Sequence, residues 1–236
     1  MAGLLFSGLM LAAAAQAIEP PPVSYPAPPA RAAYPEDFAP PGWAVEHEVR
    51  GELNGDAVED VLLILRAQDP ANVIEHQTLG SSPWDTNPRM LVVGFGRAEG
   101  GFDRALADHS LIPRPDNPSL EDVLAEAPPP QIRNRAFRLS LHAFASAGSW
   151  SMGTATFTFR WRDGAFRLIG FDDVWVHRGS GEITERSINY LTGRMSRAEG
   201  SIEDDVLPPV WSAAPAGPLL RLEEIGDGLM FDPERR

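Results

Sequence analysis

Oxygen-bearing side chains recur at alternate positions in one short polar stretch, and their chemistry suits calcium. The stretch covers Glu52–Asp60 with the sequence ELNGDAVED, and the apolar run VLLIL follows it directly. Calcium takes six to eight oxygen ligands, so a short loop that binds it must present carboxylates and carbonyls at alternate positions. The same residues also suit a turn between two strands, with Asn54 and Gly55 as turn residues and Asp56 closing an Asx-turn.

The stretch resembles the D-x-N-x-D-G-x-x-D calcium loop of FG-GAP/VCBS-type repeats. Carried over position by position, the resemblance implies four side-chain ligands and one backbone carbonyl, namely Glu52, Asn54, Asp56, Asp60 and the carbonyl of Val58. Two positions depart from the motif. Glu52 stands in place of Asp, and Ala57 stands in place of a glycine, although alanine adopts positive φ less readily. We therefore expect weak calcium binding, with a dissociation constant of about 10⁻⁴–10⁻³ M.

Two later segments extend the resemblance. The sequences FTFRWRDGAFRLIG at 157–170 and SINYLTGR at 187–194 are similar to TFRYRDGxWxLIG and INxLTG segments of a group of uncharacterised bacterial exported proteins. Members of that group carry a single calcium-type loop, and the resemblance covers roughly residues 43–197. It implies an envelope or extracellular location and a β-rich fold, and it supplies no reaction.

The calcium-type motif occurs in a single copy, which bears on the architecture. Repeats of this type build propellers by repetition, and the chain has no second DxNxD-like segment. The sequence therefore predicts a mainly β protein with an open antiparallel sheet, a sandwich or a partial barrel rather than a full propeller.

Two groups of residues have side chains that could catalyse a reaction. Ser151 lies near a G-x-S-x-G pattern, but Gly148 is one place too early and a strand pattern follows where the nucleophile elbow needs a helix. Asp172 and Asp173 could do acid–base work, but adjacent residues on a strand face opposite sides. The sequence thus predicts no catalytic residue, and whether the protein is an enzyme stays open with a leaning against it.

Aromatic and imidazole side chains suggest other ligands. Trp150, Trp161 and Trp175 could form a platform on which sugars stack, although Trp161 shares a periodic apolar face and is expected in the core. Zinc is not supported, because the histidines are scattered without ligand spacing; they are His47, His76, His109, His142 and His177.

Composition excludes several partners. The chain has 236 residues, 43% of them hydrophobic, a formal net charge of −13 and no cysteine. Apolar content is ample for a core. The acidic balance argues against nucleic acid and anionic lipid, which both need clustered basic residues. Without cysteine there is no disulfide, no thiolate metal site, no cysteine nucleophile and no lipidated N-terminal cysteine.

The N-terminal residues predict export. An apolar stretch at 3–15 ends in Ala15-Gln16-Ala17, a small-x-small cleavage pattern, so 1–17 is a predicted signal peptide. The apolar run is too short to span a bilayer; a buried N-terminal helix is the alternative. Residues 18–42 are dense in proline and predict an extended tether. No membrane span is expected after cleavage, and the predicted location is periplasmic or secreted.

Residues 43–197 carry the β signal. Within 154–162, Ala, Phe, Phe and Trp alternate with Thr and Arg, which is the period of a strand, and Asp163-Gly164 makes a tight turn. The acidic, proline-rich segment 198–236 holds one possible strand at 219–225. The predicted strands of the main region lie near 43–49, 61–65, 90–95, 102–106, 154–162, 165–171, 174–177, 182–189 and 193–197.

These observations predict an exported binding or structural module of the cell envelope with one weak calcium-type loop. Its partner would be an envelope protein or a glycan. The alternatives are a carbohydrate-binding module and a hydrolase acting on envelope polymers. The hydrolase would need a cleft that joins Asp172 or Asp173 with residues of the loops at 67–88 or 112–131.

Overall fold

The structure is a computed structural model that describes residues 18–204 and 206–235, so the predicted signal peptide lies outside the described residues. Short 3₁₀ helices occur at Pro35–Phe38, Pro70–Asn72 and Leu222–Glu224. The strands are β1 (Arg31–Ala32), β2 (Trp43–Gly51), β3 (Asp60–Ala67), β4 (Val73–Ile74), β5 (Trp84–Asp85), β6 (Arg89–Gly96), β7 (Phe102–Asp108), β8 (Gln131–Arg133), β9 (Ala136–Ala143), β10 (Ser151–Arg162), β11 (Ala165–His177), β12 (Glu182–Asn189), β13 (Arg194–Ser201) and β14 (Val210–Ala213).

The strands form two large sheets and one small ribbon. A five-stranded sheet has the order β1-β7-β6-β3-β2, a seven-stranded sheet has the order β14-β13-β12-β11-β10-β9-β8, and β4 pairs with β5. Neighbouring strands are antiparallel throughout. The prediction of a mainly β protein built from open antiparallel sheets is confirmed, and within the described residues neither sheet closes into a barrel or a propeller.

The two sheets share one hydrophobic core. Ile64 on β3 and Val93 on β6 are fully buried with Phe157 and Phe159 on β10. The alternation predicted for β10 is confirmed, because its odd-numbered aromatic residues face this core while its threonines face away. Burying each such phenylalanine contributes about 1.5–3 kcal/mol, so this shared face is the main source of stability.

The central strands of the five-stranded sheet, β3 and β6, are buried on both faces. Val61, Leu63 and Leu65 point away from the shared core and pack in a second cluster with Phe38, which is fully buried. A strand covered on both faces carries a continuous apolar run rather than an alternating one, which accounts for the sequence VLLIL in β3. The residues that supply the cover come from the N-terminal segment.

That segment corrects the prediction of a tether at 18–42. The chain is extended there, as expected, but β1 pairs with β7 along the sheet edge. The ring of Tyr25 stacks on His109 with centroids 4.1 Å apart, and the Arg114 guanidinium donates to the Pro21 carbonyl at 2.6 Å. The proline-rich segment lies against the sheet because its few apolar side chains complete a core. It is part of the folded domain.

The C-terminal segment also differs from expectation. No strand forms at 219–225; Leu222–Glu224 is a 3₁₀ helix, and the late strand is β14. Leu222 and Ile225 are both buried, and residues three apart align on one side of a 3₁₀ turn, so this spacing suits the helix better than a strand. The β-rich region therefore runs beyond residue 197.

Other boundaries shift without changing the architecture. The predicted strands at 165–171 and 174–177 form one continuous strand, β11, and the predicted loop at 67–88 contains the short strands β4 and β5. Among the residues that the structure describes, no helix is long and apolar enough to cross a bilayer.

Phe38→Ala tests whether the N-terminal segment belongs to the fold. Because the ring is fully buried, its removal should lower the free energy of unfolding by about 3–5 kcal/mol, measured by urea denaturation. Tyr34→Ala is the control, since Tyr34 lies in the same segment with 65% exposure and its truncation should change stability by less than about 0.5 kcal/mol. If both substitutions had equally small effects on stability, residues 18–42 would be a tether, as the sequence predicted.

Candidate functional site

The predicted calcium loop lies between β2 and β3 and is held by its own side chains. The Glu52 carboxylate accepts the backbone N–H groups of Gly55 and Ala57, each at 2.5 Å. The Asn54 amide oxygen accepts the N–H of Asp56 at 2.9 Å. In the same way, Asp56 Oδ1 accepts the N–H of Val58 at 2.8 Å. These are Asx-type turns, which is the alternative that the sequence left open.

The backbone of the loop nevertheless has one property of the calcium motif. Ala57 occupies the position of the motif's glycine and has a φ of 68°, in the left-handed region that glycine prefers. A left-handed non-glycine residue costs of order 1–3 kcal/mol and persists because surrounding contacts impose it. Here the bond from the Ala57 N–H to Glu52 supplies such a contact.

Asp60 closes the loop from beneath and is fully buried. Its Oδ2 accepts the N–H groups of Leu53 at 2.7 Å and Asn54 at 3.3 Å, and its Oδ1 accepts the N–H of Gly96 on β6 at 2.9 Å. Burial raises the pKa of Asp60 above its ordinary value, although these three bonds oppose the shift. The Asp60 carboxyl group therefore stays protonated to a higher pH in the folded protein than in the unfolded chain. Its contribution to stability is present at low pH and falls as the pH rises through the raised pKa of the folded state.

The fit of a cation to this loop is mixed. The five predicted ligand groups, Glu52, Asn54, Asp56, Asp60 and the Val58 carbonyl, carry the oxygen chemistry that calcium requires. Within 18–204 and 206–235, however, no three His, Cys, Asp or Glu side chains converge as a metal-holding group. The Arg135 guanidinium also lies beside Gly55, and its positive charge opposes a second cation nearby. Calcium binding by this loop stays a prediction.

The two adjacent aspartates are separated by the sheet. Asp172 lies on the face away from the core, where it pairs with Arg138 at 3.1 Å. Asp173 is buried on the other face and pairs with Arg186 at 2.5 Å. The expectation that they face opposite sides is confirmed, and they do not form a carboxylate pair.

The three tryptophans considered for sugar stacking do not form a row. Trp161 packs edge-on against Phe95 in the core, with ring centroids 4.9 Å apart. The Trp175 indole N–H donates to the buried Asp173 carboxylate at 3.2 Å, and only Trp150 is highly exposed. Ser151 opens β10, so a strand follows it, as the sequence predicted.

A groove lined by charged, polar and aliphatic side chains on the seven-stranded sheet was not predicted. It lies on the face turned away from the core, which we call the outer face, and it has a volume of about 440 Å³. We call it the outer groove. Its polar lining includes Arg133, Arg138, Arg160, Asp172, Ser187 and Asn189.

Strand register assembles the outer groove from distant parts of the chain. Arg138 on β9 lies opposite Thr158 on β10, which lies opposite Gly170 on β11 and then Asn189 on β12. Gly170 has no side chain, so the floor of the groove stays open. A Cβ placed there would contact the Thr158 Cβ at 3.5 Å, an ordinary van der Waals distance.

Charges in the outer groove are only partly paired. Asp172 accepts from Ser187 Oγ at 2.6 Å and from Arg138, whose side chain remains 52% exposed. Arg160 donates from Nη2 to the Asn134 carbonyl at 3.2 Å, while its Nε is buried with no acceptor among the described residues. Such a donor is costly to leave unpaired, so Arg160 has bonding capacity to spare.

Comparisons with known proteins add no assignment. No protein-family model, no curated protein and no solved structure matches this chain.

Removing the Asp60 carboxylate should destabilise the fold strongly. Asp60→Ala leaves the buried N–H groups of Leu53 and Gly96 and the partly buried N–H of Asn54 without their acceptor, which predicts a loss of about 3 kcal/mol or more in urea denaturation. Glu59→Ala is the control, because the Glu59 side chain is 60% exposed and its loss should cost about 0.5 kcal/mol or less. Similar values for both variants would contradict a structural role for Asp60.

Calcium binding is tested by isothermal titration with calcium chloride. We expect a saturable heat with a dissociation constant of about 10⁻⁴–10⁻³ M for the wild type and for Asp116→Ala, an exposed aspartate outside the loop. Asp56→Ala removes a predicted ligand and should abolish that heat. No heat from the wild type, or equal heat from all three proteins, removes the calcium site.

Proposed function

We propose that the protein is an exported binding module of the bacterial cell envelope and that the outer groove is its ligand-binding surface. The sequence supports export through the apolar stretch at 3–15 and the cleavage pattern Ala15-Gln16-Ala17. The resemblance of the segments at 157–170 and 187–194 to exported proteins points the same way. Both segments contribute to the outer groove.

One observation favours binding over turnover. The described lining of the outer groove contains a single carboxylate, Asp172, which is already bonded to Arg138 and Ser187. Hydrolysis of a glycosidic bond generally uses two carboxyl groups about 5–10 Å apart on either side of that bond. Because Asp173 lies beneath the sheet, it cannot serve as the second group. The surface suits recognition.

The loop at 52–60 has a structural role in this proposal. Through Asp60 it ties the end of β2 to Gly96 on β6, and weak calcium binding is its predicted further property. The loop lies beside the outer groove, because Arg160 lines both the groove and a smaller cleft next to Asn54.

Gly170→Val tests the groove as a binding surface. The new Cβ is accommodated at ordinary contact distances, and valine is preferred over glycine in strands, so the fold should be retained. The added methyl groups project from the floor and should weaken binding to a soluble envelope polymer fraction at least about tenfold, measured by isothermal titration.

Two controls sharpen that experiment. Thr154→Val exchanges a hydroxyl for a methyl group on the same face of β10, outside the groove lining, and should leave the affinity unchanged. An assay of reducing ends on the same fraction should show no release by the wild type. Retained affinity in Gly170→Val, or measurable release, would overturn the proposed function.

A further inference from the structure

The outer groove is locally basic in an acidic protein. The chain has a formal net charge of −13, yet three arginines, Arg133, Arg138 and Arg160, line the groove against one aspartate, Asp172. A guanidinium is planar and presents its donors as a fork that matches a carboxylate or phosphate. A cluster of this sign, placed against the overall charge, indicates a site for an oxyanion.

Arg160 is poised for such a ligand. Its Nε has no acceptor within the described part of the chain, and its Nη2 makes one bond of 3.2 Å to the Asn134 carbonyl. Rotation of the guanidinium toward an oxyanion in the groove would give an acceptor to a donor that now has none. Charge-assisted bonds of this kind are about twice as strong as neutral ones.

Hydroxyl and amide groups surround these arginines. Thr158, Ser187 and Asn189 present side chains to the groove, and Asn189 keeps amide donors beyond the bonds that its oxygen accepts from the Leu191 and Thr192 N–H groups. Neutral donors and acceptors beside an anion site match a ligand whose charged groups alternate with hydroxyls. A bare phosphate or a hydrocarbon acid would leave them unused.

The outer face continues beyond the groove to an exposed indole. Asp172, Ser187, Ser196 and Trp211 lie directly opposite one another across β11 to β14. Three strand spacings separate Asp172 from Trp211, about 14 Å at the usual distance between strands. Trp211 is 58% exposed, and the Arg194 guanidinium lies 4.5 Å from its ring centroid. An indole beside a guanidinium suits a sugar ring that carries a carboxylate.

We propose that the outer face binds a linear acidic glycan of the uronic acid type, laid across the strands from Arg160 to Trp211. This inference rests on the proposed function and names its ligand class. Nucleic acid offers similar groups, but its dense phosphate charge is repelled by a chain of net charge −13. A glycan with one charge per sugar needs fewer cationic side chains for binding than nucleic acid does, which agrees with the three arginines of the outer groove.

The test uses isothermal titration of the full mature chain with a short oligogalacturonate. A neutral maltooligosaccharide of equal length, galacturonate monomer and inorganic phosphate are titrated in parallel. We expect the acidic oligomer to bind at least about tenfold more tightly than each of the others, with an affinity that falls as salt is added.

Variants locate the binding. Arg160→Gln should weaken the acidic oligomer about tenfold, while Arg31→Gln, on the edge of the other sheet, should have no effect. Trp211→Ala should weaken the oligomer and leave monomer binding unchanged. Trp150→Ala is its matched control, because Trp150 is similarly exposed, at 66%, and lies outside the row.

Each contrary result has a distinct meaning. If the neutral oligomer binds with equal affinity, the proposal of an anionic ligand is wrong, but the proposed binding function is not affected. Monomer or phosphate binding as tight as the oligomer overturns the extended ligand. If no saccharide binds the wild type, the inference fails, and the comparison of Gly170→Val with Thr154→Val on the envelope fraction still decides the proposed function separately.

Discussion

The hydrophobic core and the outer groove are the two faces of the same strands. Successive side chains on a strand point to opposite sides, so each residue placed in the core fixes the direction of its neighbour. On β10, burial of Phe157 and Phe159 forces Thr158 and Arg160 outward. On β11 the same constraint buries Asp173 and exposes Asp172. The groove therefore depends on the core, and a register slip of one residue would destroy both.

The N-terminal and C-terminal segments pack over some faces of the two sheets and leave one face open to solvent. The N-terminal segment, including Phe38, covers the face of the five-stranded sheet that is turned away from the shared core. The C-terminal segment adds Phe231 to the shared core beside Phe157 and Phe171. The outer face of the seven-stranded sheet instead carries hydroxyls and charges, such as the Ser140 and Thr156 pair at 2.8 Å. The chain covers its apolar faces and leaves a polar face open to water or a ligand.

The sequence predicted whatever depends on local periodicity. The alternation in β10, the tight turn at Asp163 and Gly164, and the opposite orientations of Asp172 and Asp173 all follow from residues close together in the chain. The packing of 18–42 could not be predicted in this way, since proline-rich composition gives the conformation of a segment but not what it packs against. The strand predicted at 219–225 was wrong, because an apolar run this short contains too few residues to establish its period, and only the burial of Leu222 and Ile225 shows the 3₁₀ spacing.

The outer groove lay beyond sequence reasoning because it depends on register across four strands. The pairing of β10 with β11 shifts by one residue between Thr158 and Phe159, and such irregularities are set by tertiary packing. That shift brings Gly170 opposite Thr158 and so opens the floor of the groove. The sequence suggested Trp150, Trp161 and Trp175 as a stacking platform, whereas the indole aligned with the groove is Trp211, in a strand that the sequence did not predict.

Arg160 borders both the groove and the cleft beside the loop, so charge at one place acts on the other. The acidic loop at 52–60 places negative charge beside a cluster that is proposed to receive an anion, and this weakens the attraction. Arg135 offsets part of that charge from its position against Gly55. A calcium ion in the loop would offset more and would raise the affinity of the groove for an acidic ligand, and by linkage the ligand would raise the affinity for calcium by the same factor. If both proposed sites bind, the affinity of the loop for calcium would be higher with a ligand in the groove than in the free protein.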